Sequence, residues 1–101
     1  MANQIYQEGS FKIYKAGNNF IVHNSSYQFK EKHSHVRNFK VAKSLIYFAK
    51  EHIIPRTYSA YLLTSLTRIS DDEEYIQHIE ELIDVRKQKG KKLKYKNAYV
   101  H

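Results

Sequence analysis

The chain contains no cysteine, which removes a disulfide scaffold, a thiol nucleophile and a cysteine-ligated zinc site together. With one proline and three scattered glycines it has too few breakers for a loop-rich or repeat architecture. Those glycines also fail to form either common phosphate-cradling loop. Apolar runs are short, far below the roughly twenty residues that span a bilayer, so no membrane segment is expected. Met1–Glu8 has no basic region followed by an apolar stretch; a secretory signal is not expected and the cytoplasm is the default compartment. There is no G-x-S-x-G and no aspartate beside a Ser/His pair, so nucleophilic hydrolysis has no constellation to support it. The acids Glu73, Glu80 and Asp84 share the outer face of one helix instead of facing each other across a cleft, which argues against a glycosidase-like pair. No enzymatic activity and no cofactor is expected.

What the chain does have is enough apolar matter for one core. Of its 101 residues 42% are hydrophobic and 14% aromatic. A domain of this size buries roughly two-thirds of its unfolded surface. Net charge is +7 with a pI near 9.6, a balance that favours anionic partners.

The patterning predicts an α+β fold: an N-terminal β-hairpin packed on a three-helix bundle, with a short basic C-terminal tail. Residues 1–9 read as a polar lead-in. Phe11–Lys15 and Phe20–His23 are β-prone runs joined by Ala16-Gly17-Asn18-Asn19, whose Gly and Asn tolerate the positive φ of a tight turn; the hairpin covers about residues 10–24. Asn24–Arg37 is a polar connection in which Tyr27 and Phe29 form an edge strand or pin the loop. Asn38 is placed to cap a helix over about 38–52, with Phe39, Ala42, Leu45, Ile46, Ala49 and Ile53 on one face, widened by Val41 and Phe48, and with Pro55 ending it. A second helix is predicted over 57–69, with Tyr58, Leu62, Leu63, Leu66 and Ile69 inward. Ser70-Asp71-Asp72-Glu73 has the form of a capping box for a third helix, over 71–89. It would bury Tyr75, Ile76, Ile79, Leu82 and Ile83 and stop at Gly90. The domain is then residues 1–90, and 91–101 a basic tail.

Charge is segregated along the chain. The acids Asp71, Asp72, Glu73, Glu74, Glu80, Glu81 and Asp84 lie together, and from Arg86 onward there are basic residues and no acid. On the first helix Lys40, Lys43, Tyr47 and Lys50 lie opposite the core face, where lysines can contact phosphates and a ring can stack. Arg86, Lys87, Lys89, Lys91, Lys92, Lys94 and Tyr95 form the denser patch. Together these residues point to DNA or RNA bound through the phosphate backbone without catalysis. The weakly charged second helix presents Arg56, Tyr61, Thr64 and Arg68, which favour a larger protein partner, or a helix-turn-helix contact with DNA if the joint is tight. His33 and His35 flank Ser34 and point the same way in an extended segment, with His23 at the hairpin end. Three imidazoles with only Glu31 close in sequence are a poor metal set, and no metal is expected. Size and the Lys-, Ile-, Asn- and Tyr-rich composition are similar to those of small accessory proteins of AT-rich bacteria and their phages. That resemblance implies a regulator or inhibitor docking on a host protein, and it assigns no residue.

Overall fold

The computed structural model describes residues 3–28 and 31–100, with side chains as far as Gln88. Four strands come first: β1 (Asn3–Glu8), β2 (Phe11–Ala16), β3 (Asn19–Asn24) and β4 (His33–Val36). Three helices follow: α1 (Phe39–Glu51), α2 (Ala60–Ile69) and α3 (Glu73–Val100). The strands form one antiparallel sheet in sequence order, β1-β2-β3-β4.

The expected hairpin is the centre of this sheet. Its turn is Gly17-Asn18, with Gly17 at φ 61°, where a side chain would meet the Cβ penalty of the left-handed region. The preceding turn, Gly9-Ser10, repeats the device with Gly9 also at φ 61°. It folds β1 back onto β2, so the predicted lead-in is a strand. Only Tyr6 of β1 packs on the core, and a register shift between Gln4 and Tyr6 leaves Ile5 exposed. So weak an alternation is typical of an edge strand. The other edge is β4, later in the chain than the Tyr27 and Phe29 segment predicted for it. Tyr27 is exposed in the connection, and Phe29 lies outside the described residues.

One face of the sheet carries Phe11, Ile13, Val22 and Val36, and α1 and α2 pack there. The helices are therefore backed by a sheet, and α3 lies against α2. Ala42, Leu45, Ile46, Ala49, Leu63, Leu66, Ile69, Tyr75, Ile79 and Ile83 complete the core. Each fully buried Leu or Ile contributes roughly 1.5–3 kcal/mol. Ile53, predicted for the α1 core face, lies past the helix end and is exposed.

Helix boundaries follow from where the polar groups find partners. Asn38 Oδ1 accepts from the N–H groups of Lys40 (2.7 Å) and Val41 (3.2 Å), as its cap position predicts. At the other end His52 takes the left-handed conformation, at φ 54°. The next helix begins at Ala60, three residues later than predicted, with Ser59 as its cap. Arg86 explains the delay: its guanidinium donates to the carbonyls of Arg56 and Tyr58, which a helix from Thr57 would need for its own ladder. The capping box also rearranges. Ser70 turns its hydroxyl back to the Leu66 carbonyl (2.7 Å), and Asp72 accepts from the Tyr75 N–H (2.9 Å) instead. Finally, α3 continues through Gly90 to Val100, where a stop and a tail were predicted. No proline follows, and one interior glycine costs only about 1 kcal/mol against a run of good helix formers.

Two buried polar groups join these parts. Asn24, fully buried at the end of β3, donates from Nδ2 to the Ile69 carbonyl (3.2 Å) and accepts from the Ser26 N–H (3.1 Å). Tyr75 brings its hydroxyl within reach of the carbonyls of Phe48 and Ile53, joining the start of α3 to the end of α1. Asn24→Ala removes both bonds and leaves the buried Ile69 carbonyl without its side-chain partner. It will cost roughly 2–3 kcal/mol, read as a lower urea midpoint at unchanged m-value. Burial pushes the Tyr75 phenol up to about 12. The folded state thus favours the protonated form, so this group's contribution is complete below its ordinary 10.0 and is lost as pH rises toward 12. Urea midpoints measured across that window will fall more steeply for the native chain than for Tyr75→Phe.

Candidate functional site

The lysine face of α1 lies beside β1, and two of its cations are occupied there. Lys50 Nζ is 2.7 Å from Glu8 Oε2, and the Tyr6 hydroxyl donates to Glu8 Oε1 at 2.6 Å. The Lys50 ammonium, and then the Tyr6 hydroxyl, hold the Glu8 carboxyl below its ordinary range. Lys43 Nζ sits over the rings of Phe39 (5.1 Å) and Tyr6 (5.7 Å), which pack edge to face. Lys40 and Tyr47 are exposed, Tyr47 at 52%. All four residues of the α1 stripe are thus exposed, with Lys43 and Lys50 engaged by neighbouring side chains.

The second basic group divides at Arg86. That side chain is clamped on the connection between α1 and α2, as described above. Lys87 is exposed on the next position and lines a depression with Thr64, Thr67, Glu80, Ile83 and Asp84. The side chains of Lys89, Lys91, Lys92, Lys94 and Tyr95 lie outside the described residues; their backbone belongs to α3.

The residues predicted to face a protein do not share one concavity. Tyr61 lines a groove of about 460 Å³ with Val36, Arg37, Asn38, Val41, Ser59 and Leu62. Its hydroxyl donates to the His35 carbonyl (2.8 Å). Thr64 lines the depression shared with α3 and returns its hydroxyl to Ala60 (2.8 Å). Arg56 and Arg68 are exposed. The joint between α1 and α2 spans residues 52–59, longer than the three or four residues of a helix-turn-helix.

The sheet brings the histidines together. His23 and His33 are cross-strand partners, and the rings of His33 and His35 meet at 5.2 Å in a T-shaped pair. His23 Nε2 lies 3.0 Å from the Tyr27 carbonyl; a carbonyl only accepts, so that nitrogen carries the proton. Among the described residues no group of three His, Cys, Asp or Glu side chains is arranged to hold a metal ion.

Around these histidines lies a surface that the sequence reading did not assemble. Pairing places Gln4, Tyr14, Ile21 and His35 in one row across the sheet, and Gln7, Lys12, His23 and His33 in the next. Both rows face away from α1 and α2. Neither contains a carboxylate. The available signal was the period-two alternation of Phe11-Lys12-Ile13-Tyr14, which puts Lys12 and Tyr14 opposite the core residues.

Because Arg86 bridges two carbonyls, Arg86→Lys cannot replace it: an ammonium lacks the planar fork. Both Arg86→Lys and Arg86→Ala will lower the urea midpoint, the alanine change by roughly 1.5–3 kcal/mol. Among protein-family models, curated proteins and solved structures, no match to this chain is found.

Proposed function

We propose that this is a small basic protein that associates with nucleic acid through the phosphate backbone and does no chemistry on it. The observation that carries this reading is the charge division along α3. Its acids lie in the half that packs on α2 through Tyr75, Ile79 and Ile83. Past Arg86 the same helix carries Lys87, Lys89, Lys91, Lys92, Lys94 and Lys96 and no acid. At 1.5 Å per residue, Lys87 to Lys96 span about 14 Å, roughly four base-pair steps of a duplex. Cations held on one helix meet a polyanion at a lower ordering cost than cations on a loose chain. Exposed Lys40 and Lys87 add to the same charge.

A second reading, docking on a larger protein, is supported by the groove beside Tyr61, whose walls are mainly Val36, Val41 and Leu62.

The test is binding of a labelled oligonucleotide across a salt series. Affinity will fall steeply with salt, and Lys91, Lys92 and Lys94→Gln will weaken every sequence alike. Three phosphate contacts removed make the log–log salt slope shallower by roughly 2 to 3. No binding at low ionic strength rejects the proposal. In that case a stoichiometric protein retained after nuclease treatment, and released by Leu62→Arg, selects the second reading.

A further inference from the structure

The groove beside Tyr61 joins apolar walls to a border of one charge sign. We infer that it docks an acidic segment of a partner protein, one that presents a leucine- or phenylalanine-sized side chain flanked by carboxylates. The inference rests on the second reading above and names that partner's chemistry. The groove, of about 460 Å³, lies where β4, the start of α1 and the start of α2 meet. Val36, Val41 and Leu62 supply its aliphatic surface. Tyr61, 62% exposed, borders it with its hydroxyl tied to the His35 carbonyl. The ring is therefore held in place before a partner arrives, which lowers the ordering cost of binding.

Charge selects the occupant. Among the described residues none that lines the groove is an acid, and Arg37 is exposed there with no carboxylate partner. Asn38 and Ser59, the caps of α1 and α2, line it too, and neither helix has an acid in its first turn. Two positive helix ends thus border one concavity without a counter-charge of their own. Lys40 is exposed on the position before Val41. The acids of α3 are placed elsewhere. Glu80 and Asp84 line the depression with Thr64 and Thr67, and Asp72 and Glu74 line another with His52 and His78.

The aliphatic walls select a peptide over nucleic acid at this place. Phosphates gain nothing from Val36, Val41 or Leu62, and pressing them against such a surface forfeits their hydration. A segment with an apolar anchor between carboxylates uses both halves of the groove: the anchor fills the floor and a carboxylate meets the Arg37 guanidinium.

The experiment selects binders to the native chain from a display library of random linear peptides. Enriched peptides will carry Leu, Ile or Phe beside two or more Asp or Glu residues. A synthetic peptide of that consensus will shift the amide resonances of residues 36–41 and 59–62. Changing its apolar anchor to Ser will weaken it at least tenfold, and so will Arg37→Glu in the protein. Leu62→Arg will abolish binding; Arg37 is exposed, so its variant decides the matter if the Leu62 change fails to fold. Enriched peptides that are basic or uncharged, yet move the same amides, overturn the acidic partner and leave protein docking standing. So does an affinity that Arg37→Glu leaves unchanged. No enrichment removes both. An oligonucleotide that moves the groove amides when the consensus peptide does not overturns the inference in favour of nucleic acid.

Discussion

Asn24, itself fully buried, closes the sheet onto the helices. Its amide meets the last carbonyl of α2 and the backbone just past β3, so one side chain fixes where two elements end. The position of Ile69 then determines where the chain turns, and Ser70 and Asp72 complete that corner. From there Tyr75 reaches the end of α1 and Arg86 the connection before α2. The direction of α3, and with it the direction of its charge gradient, follows from these three anchors. Each is a polar side chain bonded to a backbone carbonyl in or beyond the last turn of a helix, which ties that end to a distant element.

The same economy explains which cations remain for a ligand. A basic side chain near the packed body is drawn to whatever satisfies it: Lys50 to Glu8, Lys43 to two aromatic faces, Arg86 to two carbonyls. In the α1 region these contacts hold Lys43 and Lys50 in place while both stay exposed. Cations on the exposed strand positions and in the later turns of α3 lie away from the acids gathered around its start.

Strand pairing makes a surface that no linear stretch contains. Lys12 and Tyr14 come from one strand, Ile21 and His23 from the next, His33 and His35 from a third. Their common orientation depends on register, because a slip of one residue would send Ile13 outward and Lys12 into the core. The two Gly-first turns hold that register, each closing a two-residue loop at positive φ. The outward face and the core are thus two results of one alignment.

Local chemistry was enough to make the central hairpin, the α1 cap at Asn38, the amphipathic stripes and the acid-to-base division of the last helix legible in the sequence. Gly17-Asn18, Asn38 Oδ1 and the spacing of Ala42, Leu45, Ile46 and Ala49 act within a few residues of themselves. Gly9-Ser10 belonged to the same class, but its flanking strand is too polar to alternate clearly. The late start of α2, the displaced cap of α3 and the engagement of Lys43, Lys50 and Arg86 were decided only by tertiary structure. Their partners lie far along the chain: Arg86 meets Arg56 and Tyr58, Lys50 meets Glu8, Asn24 meets Ile69. A propensity belongs to a residue and its neighbours, whereas a backbone carbonyl or carboxylate takes whichever donor the folded chain brings within about 3 Å of it.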